Sequence, residues 1–592
     1  MAKKSTSLVL GKKKISIRRR RAVQAGEQAS AHIDKLIIRR WTSVNAVKRH
    51  VTVWLLVLLA ISTGLFVQNR QLAGYYREPS YAAGGSYTEG IVGGLTNMNP
   101  IFATGPVDSS ASRLLFSGLL KYDLNNRLVG DLAESITPDD RGVTYTVKLR
   151  PGLTWHDGKP VTSRDVLFTF QTIQHPDTRS PLNGSWQLIK IDAPDESTII
   201  FTLPVALTSF PQSLTTGIIP QHILASVPPS QLRSHPFNTK EAIGTGPFKL
   251  TNVVTLSLDS KEINFEPFDD YWNGTPKLDR VSFRTYADQD ALSEGFRLGD
   301  VQAIGGVSDS DKLTLGRAAV KQYNLPQANG VFAFFRSSTQ PLDDHRLREA
   351  LVMSVDTNSI LQDTLKNSRL PLNGPLLRSQ LPYGPDLQQL DTNPDRAAAL
   401  LDEAGWTKQV DGTRTKDGKP LELTLVTQNT PEYSLVASAL QKQWLAQGIK
   451  LKVELVSEQE LQQNHIVPHN YDILLYGISL GSDPDVYAYW HSREAGLGGF
   501  NLSEYRSPAA DASLEAGRTR SDATLRSIKY KGFLQAWRAD IPALALYQPS
   551  FEYIQSADVN GFVPRVLVTP SDRFENIQNW MVEQRIRDKQ YP

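Results

Sequence analysis

The chain has no cysteine among its 592 residues, and that absence removes several chemistries at once. Disulfide bridges, thiol nucleophiles, thiolate metal sites and lipid attachment at cysteine are all excluded. Acid is almost missing from the first 50 residues, which hold 14 Lys and Arg against only Glu27 and Asp34. A Walker A loop is absent too. None of Gly11-Lys12, Gly158-Lys159 and Gly418-Lys419 has a glycine five positions earlier, so that route to ATP hydrolysis is closed. Neither an HExxH zinc motif nor a fixed-period repeat occurs. No cofactor and no metal is implied.

What is present begins with residues 51–67 (VTVWLLVLLAISTGLFV, Val51 to Val67), 17 residues without a charge. That is the lower end of the length that crosses a bilayer as a helix. The rest of the chain reverses the charge of the tail, with 50 basic and 59 acidic residues outside the first 50. Basic flanks stay cytoplasmic, which predicts an internal N-terminus and a large external region. A cleavable signal has a short leader, an apolar core of about 7–15 residues and a small-residue site. Here the leader is 50 residues and Gln68, Asn69 and Arg70 follow the core, so a retained anchor is expected. Residues 1–50 read as a basic tail against anionic headgroups. No aromatic residue precedes Trp41 to stack on bases, which speaks against nucleic acid. Residues 68–85, with Gly, Ser and Tyr, read as a linker.

Beyond it, strand and helix patterns alternate, which predicts an α/β fold. Val143, Tyr145, Val147 and Leu149 alternate with polar neighbours as a half-buried strand. Asp157-Gly158 marks a turn. Thr162 and Asp165 have capping-box spacing before a helix carrying Val166, Phe170 and Ile173 on one face. Later, Leu347, Ala350, Leu351 and Ser354 share a helical stripe. Asn393-Pro394 opens a helix that Gly405 closes. Val436, Leu440 and Trp444 mark another, ending at Gly448, and Ile449, Leu451, Val453 and Leu455 alternate as a strand. An α/β body over residues 335–545 follows.

Two motifs invite a catalytic reading. Gly477-Ile478-Ser479-Leu480-Gly481 matches the G-x-S-x-G nucleophile elbow after a strand-like run. A hydrolase of that kind needs an acid strand and then a distant histidine, whereas His491 is the only histidine after Ser479. Pro484 also interrupts the helix that should follow. His465 and His469 have metal-ligand spacing, but Pro468 opposes a helix there, so a solvated pair is the plainer expectation.

Read in order, a series of segments carries a resemblance. They are 87–100 (YTEGIVGGLTNMNP), 115–122 (LFSGLLKY), 131–135 (DLAES), 145–149 (YTVKL) and 153–170 (LTWHDGKPVTSRDVLFTF). The series continues with 244–250 (GTGPFKL), 271–283 (YWNGTPKLDRVSF), 343–357 (DDHRLREALVMSVDT), 395–406 (DRAAALLDEAGW) and 541–547 (IPALALY). Each is weak alone. Together they resemble the extracellular solute-binding proteins of the dipeptide, oligopeptide and nickel class (family 5) of ABC transporters, over about residues 87–590.

The resemblance implies a bilobed, periplasmic-binding-protein-like fold of three domains behind an N-terminal transmembrane helix. Lobe I would comprise 86–119, 236–332 and 546–592, with an inserted domain at 120–235, and lobe II would span 333–545. It implies a monomer that passes a peptide or other small solute to a permease with its ATPase subunits. In peptide-binding relatives an extended peptide pairs with main chain from both lobes. The matching segments here are 104–107, with Thr104, Gly105 and Pro106, and 477–481, with Gly477, Ser479 and Gly481. Tyr476, Tyr487 and Trp490 are candidates for side-chain pockets; the alternative is that they fill the lobe core. Peptide binders of the class carry an Asp on this loop that pairs with the free amino group. Leu480 or Gly481 stands there in this chain, and Asp483 is the nearest acid. Alternatives are a metal chelate or sugar as the solute, a sensor ectodomain, or a hydrolase using Ser479.

Overall fold

The computed structural model describes residues 48–307, 319–366, 369–582 and the strand Gln584–Asp588. Most of the basic tail therefore lies outside the described residues. Two compact units divide the chain, residues 1–80 with 584–592 and residues 81–583.

In the first unit a helix runs Lys48–Tyr76. It carries an apolar stretch, His50–Gln68, of mean hydropathy 2.1 that is not covered by other parts of the chain. The helix continues past Val67 because Gln, Arg, Leu and Ala are good helix formers and extending an existing helix is cheap. A strand, Arg77–Tyr81, follows and pairs with Gln584–Asp588. Most of the stretch expected as a linker is thus regular structure.

The second unit holds two large sheets. One has seven strands in the order Val320–Pro326, Ser550–Ser556, Ala303–Gly305, Ser86–Val92, Arg280–Tyr286, Lys261–Pro267, Phe248–Thr255. Ser86–Val92 lies parallel to both Arg280–Tyr286 and Ala303–Gly305. Residues 120–235 contribute a four-stranded sheet in the order Ala133–Pro138, Thr144–Leu149, Thr198–Thr202, Lys190–Asp195. In its second strand Tyr145, Val147 and Leu149 are buried, as their alternation predicts. The helix Ser163–Gln174 begins with the expected Thr162–Asp165 capping box. One continuous core joins this sheet to the larger one and includes Tyr87, Trp155, Trp186, Phe283 and Trp580.

The other large sheet has six strands in the order Leu370–Pro371, Ala543–Gln548, Asn329–Phe335, Ile473–Ser479, Glu422–Gln428, Lys450–Val456. Both faces are covered, so Asn329–Phe335 reads as an unbroken apolar run. Val331, Ala333 and Phe335 enter the core on one face, and Phe332 and Phe334 the core on the other. Helices begin at Pro394 behind an Asn393 cap and at Pro431 behind a Thr430 cap. Lys450–Val456 is an edge strand: Leu451 is buried but Leu455 is 43% exposed.

The chain passes between the large sheets at two adjacent points. Gln327 N–H donates to Pro549 O at 2.8 Å, and the Gln548 side chain donates to Gln327 O at 2.7 Å. Leu567 braces the first passage, accepting from Ala328 N–H and donating to Pro326 O. Both passages lie slightly apart from the 332/333 and 545/546 boundaries read from sequence, because Asn329–Phe335 and Ala543–Gln548 belong wholly to the six-stranded sheet.

Candidate functional site

The strand Ile473–Ser479 organises the site. Along its whole length it pairs with Asn329–Phe335, from Ser479 opposite Asn329 to Ile473 opposite Phe335. On its other side only Ile473, Leu474 and Leu475 are paired, with Leu425, Val426 and Thr427. From Tyr476 onward no strand among the described residues lies beside that edge. Unpaired strand edges accept further extended chain.

Two phenols stand at this edge. Gly477 N–H meets the Tyr433 hydroxyl, and Ser479 N–H meets that of Tyr489. A Cβ at Gly477 would lie 2.9 Å from Tyr433 Oη and 3.7 Å from Val331 Cγ2, so glycine is what lets the ring approach. Burial pushes the Tyr433, Tyr476 and Tyr489 phenols up. All three are neutral hydrogen-bonding groups at physiological pH.

The loop that follows is held from several sides. Leu480 and Gly481 N–H both donate to Ala328 O at 2.9 Å, which ties the loop to a crossover. Gly481 has φ +68°, a conformation glycine adopts without a Cβ penalty. Gln380 Nε2 donates to Leu480 O and Asp483 O, both at 2.7 Å. Asp483 receives the Asp485 N–H at 2.9 Å, a local turn. Its two carboxylate oxygens face the Arg526 guanidinium as a fork, with Nη1 donating at 2.8 Å. Asp485 pairs with Arg518 at 3.3 Å.

Hydrogen bonds across the gap between the two large sheets come from Thr208 and Ser209, which follow the four-stranded sheet. Thr208 N–H and Oγ1 both donate to Arg518 O at 2.9 Å, and Oγ1 also to Arg520 O at 3.0 Å. Ser209 Oγ donates to Asp485 Oδ2 at 2.9 Å. Burial pushes the Tyr122 phenol up to about 12. Beside the crossovers lies a cavity of about 390 Å³ lined by Leu370, Leu372, Leu376, Tyr383, Gln548 and Val566, among others.

The residues expected from sequence are distributed as follows. Gly105 is the N-cap of the helix Pro106–Leu115, and Thr104 and Pro106 are exposed. Their neighbour Asp108 holds Thr96 through its N–H at 2.8 Å and its hydroxyl. Gly477 and Ser479 lie on the open edge, with Ser479 exposed. Tyr476 is half-buried and its hydroxyl receives Gln462 Nε2 at 3.1 Å. Tyr487 is sandwiched between His491, stacked at 4.0 Å, and the Arg518 guanidinium at 4.1 Å. Trp490 is fully buried against Phe332, Phe334 and Trp537; it packs the core rather than the gap.

The catalytic and metal readings find no support in these contacts. His491 is buried, with Nδ1 accepting the Arg493 N–H and Nε2 facing Glu515 at 3.3 Å. His465 Nδ1 bonds Asn470 O, and His469 Nδ1 meets Glu504 at 3.1 Å. Among the described residues no group of three or more ligating side chains is arranged for a metal ion. Sequence reasoning missed Tyr433, Tyr489, Gln380, Arg518, Arg526, Tyr122, Thr208 and Ser209. Only the Thr430-Pro431 helix start hinted at where Tyr433 would point.

The fold recurs among known proteins. A model of the bacterial extracellular solute-binding proteins, family 5 (middle region), matches residues 127–498. The oligopeptide-binding protein AppA of Bacillus subtilis (strain 168) is 28% identical over 507 residues, covering 84% of this chain and 91% of AppA. The structure of that AppA in complex with a nonapeptide gives a TM-score of 0.68 at 27% identity, over 85% of this chain and 100% of that one. The ABC transporter substrate-binding protein CtaP of Listeria monocytogenes gives 0.73 at 26% identity, over 84% and 99%.

Proposed function

This chain belongs to the bacterial extracellular solute-binding proteins of family 5, and from that premise we propose that it captures peptides between its two large sheets and delivers them to an ABC permease. Members of this family are solute-binding proteins rather than enzymes, and the engagement of His491 agrees. The reading takes the seven-stranded sheet with its inserted domain as one lobe and the six-stranded sheet as the other. Gln327, Ala328 and Pro549 form the hinge. A peptide touching both lobes binds the closed arrangement better and so draws the hinge equilibrium toward it.

The observation that carries this reading is the open edge of Ile473–Ser479 beyond Leu475. An extended peptide added there is held by main-chain hydrogen bonds, which do not depend on its side chains. The helix 104–107 leads into faces it from the other lobe in this reading. Thr104, Gly105, Pro106, Tyr476, Ser479, Gly481 and Tyr487 are the proposed lining. Apolar side chains of the cargo would enter the cavity at Leu372 and Tyr383.

The same reading places the helix Lys48–Tyr76 in the membrane as a retained anchor. The tail would be cytoplasmic and the binding unit outside, as a monomer beside its permease and ATPases. Native mass spectrometry of the full chain in detergent tests the cargo. A ladder of co-purified masses spaced by amino-acid residues supports the proposal, whereas a single discrete non-peptide ligand would sink it.

A further inference from the structure

The acids of the loop after the open edge, and Glu432 beside Tyr433, are already paired with arginines of the protein. Asp483 is bound in a fork by Arg526, and the two side chains are only 15% and 13% exposed. Asp485 is shared by Arg518 and Ser209. Glu432, next to Tyr433, takes Arg369 through one oxygen and the Tyr547 hydroxyl, at 2.8 Å, through the other. Asp108 on the facing segment has no arginine, but it is only 2% exposed and both its oxygens are taken by the Thr96 N–H and hydroxyl. At Gly477 and Ser479 the groups left for a ligand are polar but uncharged: their main chain and the phenols of Tyr433 and Tyr489.

From this we infer that the site grips peptides along their backbone amides and does not read a free amino terminus. An ammonium brought into a closed gap needs a carboxylate of its own. To obtain Asp483 it would have to displace Arg526, leaving a part-buried guanidinium without its partner. That exchange replaces one ion pair by another and adds a stranded charge. Amide groups of the ligand need no such exchange, since they replace one neutral hydrogen bond by another. The cargo class is therefore peptides regardless of N-terminal charge, including blocked ones. This inference rests on the peptide reading above.

A randomised nonapeptide pool tests it, prepared once with free and once with acetylated amino termini. Each is titrated against the full chain in detergent, with bound fractions read by native mass spectrometry. The two forms should bind within about three-fold of each other. The free form should also hold its affinity from pH 6 to pH 9.5, across the ordinary α-amino pKa of about 7.7–8.0. A ten-fold preference for the free form, or an affinity that falls as its amine deprotonates, would overturn the inference while leaving the peptide reading intact. Retention of neither pool would instead remove the peptide reading, and the inference with it. The variant Arg526→Gln releases Asp483 and should gain at least a five-fold preference for free amines. Its failure to gain any would show that Arg526 is not what silences that carboxylate.

Discussion

Half-buried against the 244–246 segment, His156 accepts the Gly244 N–H on Nδ1 at 3.1 Å and contacts Gly246 O through Nε2 at 3.0 Å. Burial lowers its pKa to about 4, so it folds as a neutral ring. The unfolded chain binds that proton near pH 6.5, so its stabilising contribution is complete above about pH 6.5. It is lost as pH falls, amounting to about 3 kcal/mol by pH 4. Thermal melts should therefore show a decline between pH 6.5 and 4 that His156→Gln makes shallower. An identical slope in both proteins would refute the assignment. This histidine also shows how far single residues were legible. The local devices were: the Thr162 capping box and the Asn393 cap need only neighbours in sequence. The glycines of 244–250 were visible as a motif but not as a cause. A Cβ at Gly244 would lie 1.8 Å from Leu115 O, and one at Gly246 would lie 2.3 Å from Leu114 O. Asp483 was legible as an acid near the site, while the Arg526 that occupies it comes from a helix forty-odd residues on. Partnering across such distances is set by packing, which no local pattern encodes.

Among the elements, the strand Ile473–Ser479 matters most because its neighbour Glu422–Gln428 overlaps only its first three residues. Alternation and apolar content revealed a strand beginning near Tyr471. They could not reveal that Glu422–Gln428 stops pairing with it at Leu475. An open edge is a property of two elements together, and the same holds for the edge strand Lys450–Val456, whose Leu455 is left 43% exposed. The aromatic run after the edge makes the point again. Tyr476, Tyr487 and Trp490 lie close in sequence, yet only the last is swallowed by the core, because it meets Phe332, Phe334 and Trp537. Gly477→Val tests the edge directly. Its Cβ, 2.9 Å from Tyr433 Oη, forces the ring aside and crowds the place of the added strand. Calorimetric titration with the nonapeptide pool should show binding at least ten-fold weaker, with a stability loss of about 1–3 kcal/mol, typical of overpacking. Unchanged affinity would move the peptide elsewhere.

For the molecule as a whole, the question is how much of closure the protein supplies before any ligand arrives. The contacts of Thr208 and Ser209 with Arg518, Arg520 and Asp485 involve protein groups alone. On the proposed hinge at Gln327 and Pro549 they would favour the closed form, raising apparent affinity by raising the competent fraction. Changing Thr208→Val and Ser209→Ala together removes two donating hydroxyls, the first shared between Arg518 O and Arg520 O, while keeping the Thr208 N–H bond to Arg518 O. At a net value near 0.5–1 kcal/mol for each donated proton, the closed state should lose about 1–2 kcal/mol, roughly a five- to thirty-fold shift. The absence of native cysteine makes the measurement clean. Leu188 and Leu497, one on each of the two proposed lobes, are 73% and 77% exposed, so Leu188→Cys and Leu497→Cys accept dyes without competing thiols. Single-molecule energy transfer should show a closed population in the unliganded protein that the double variant depletes and the peptide pool restores. Superimposable distributions in the two proteins would mean that these contacts follow closure rather than cause it.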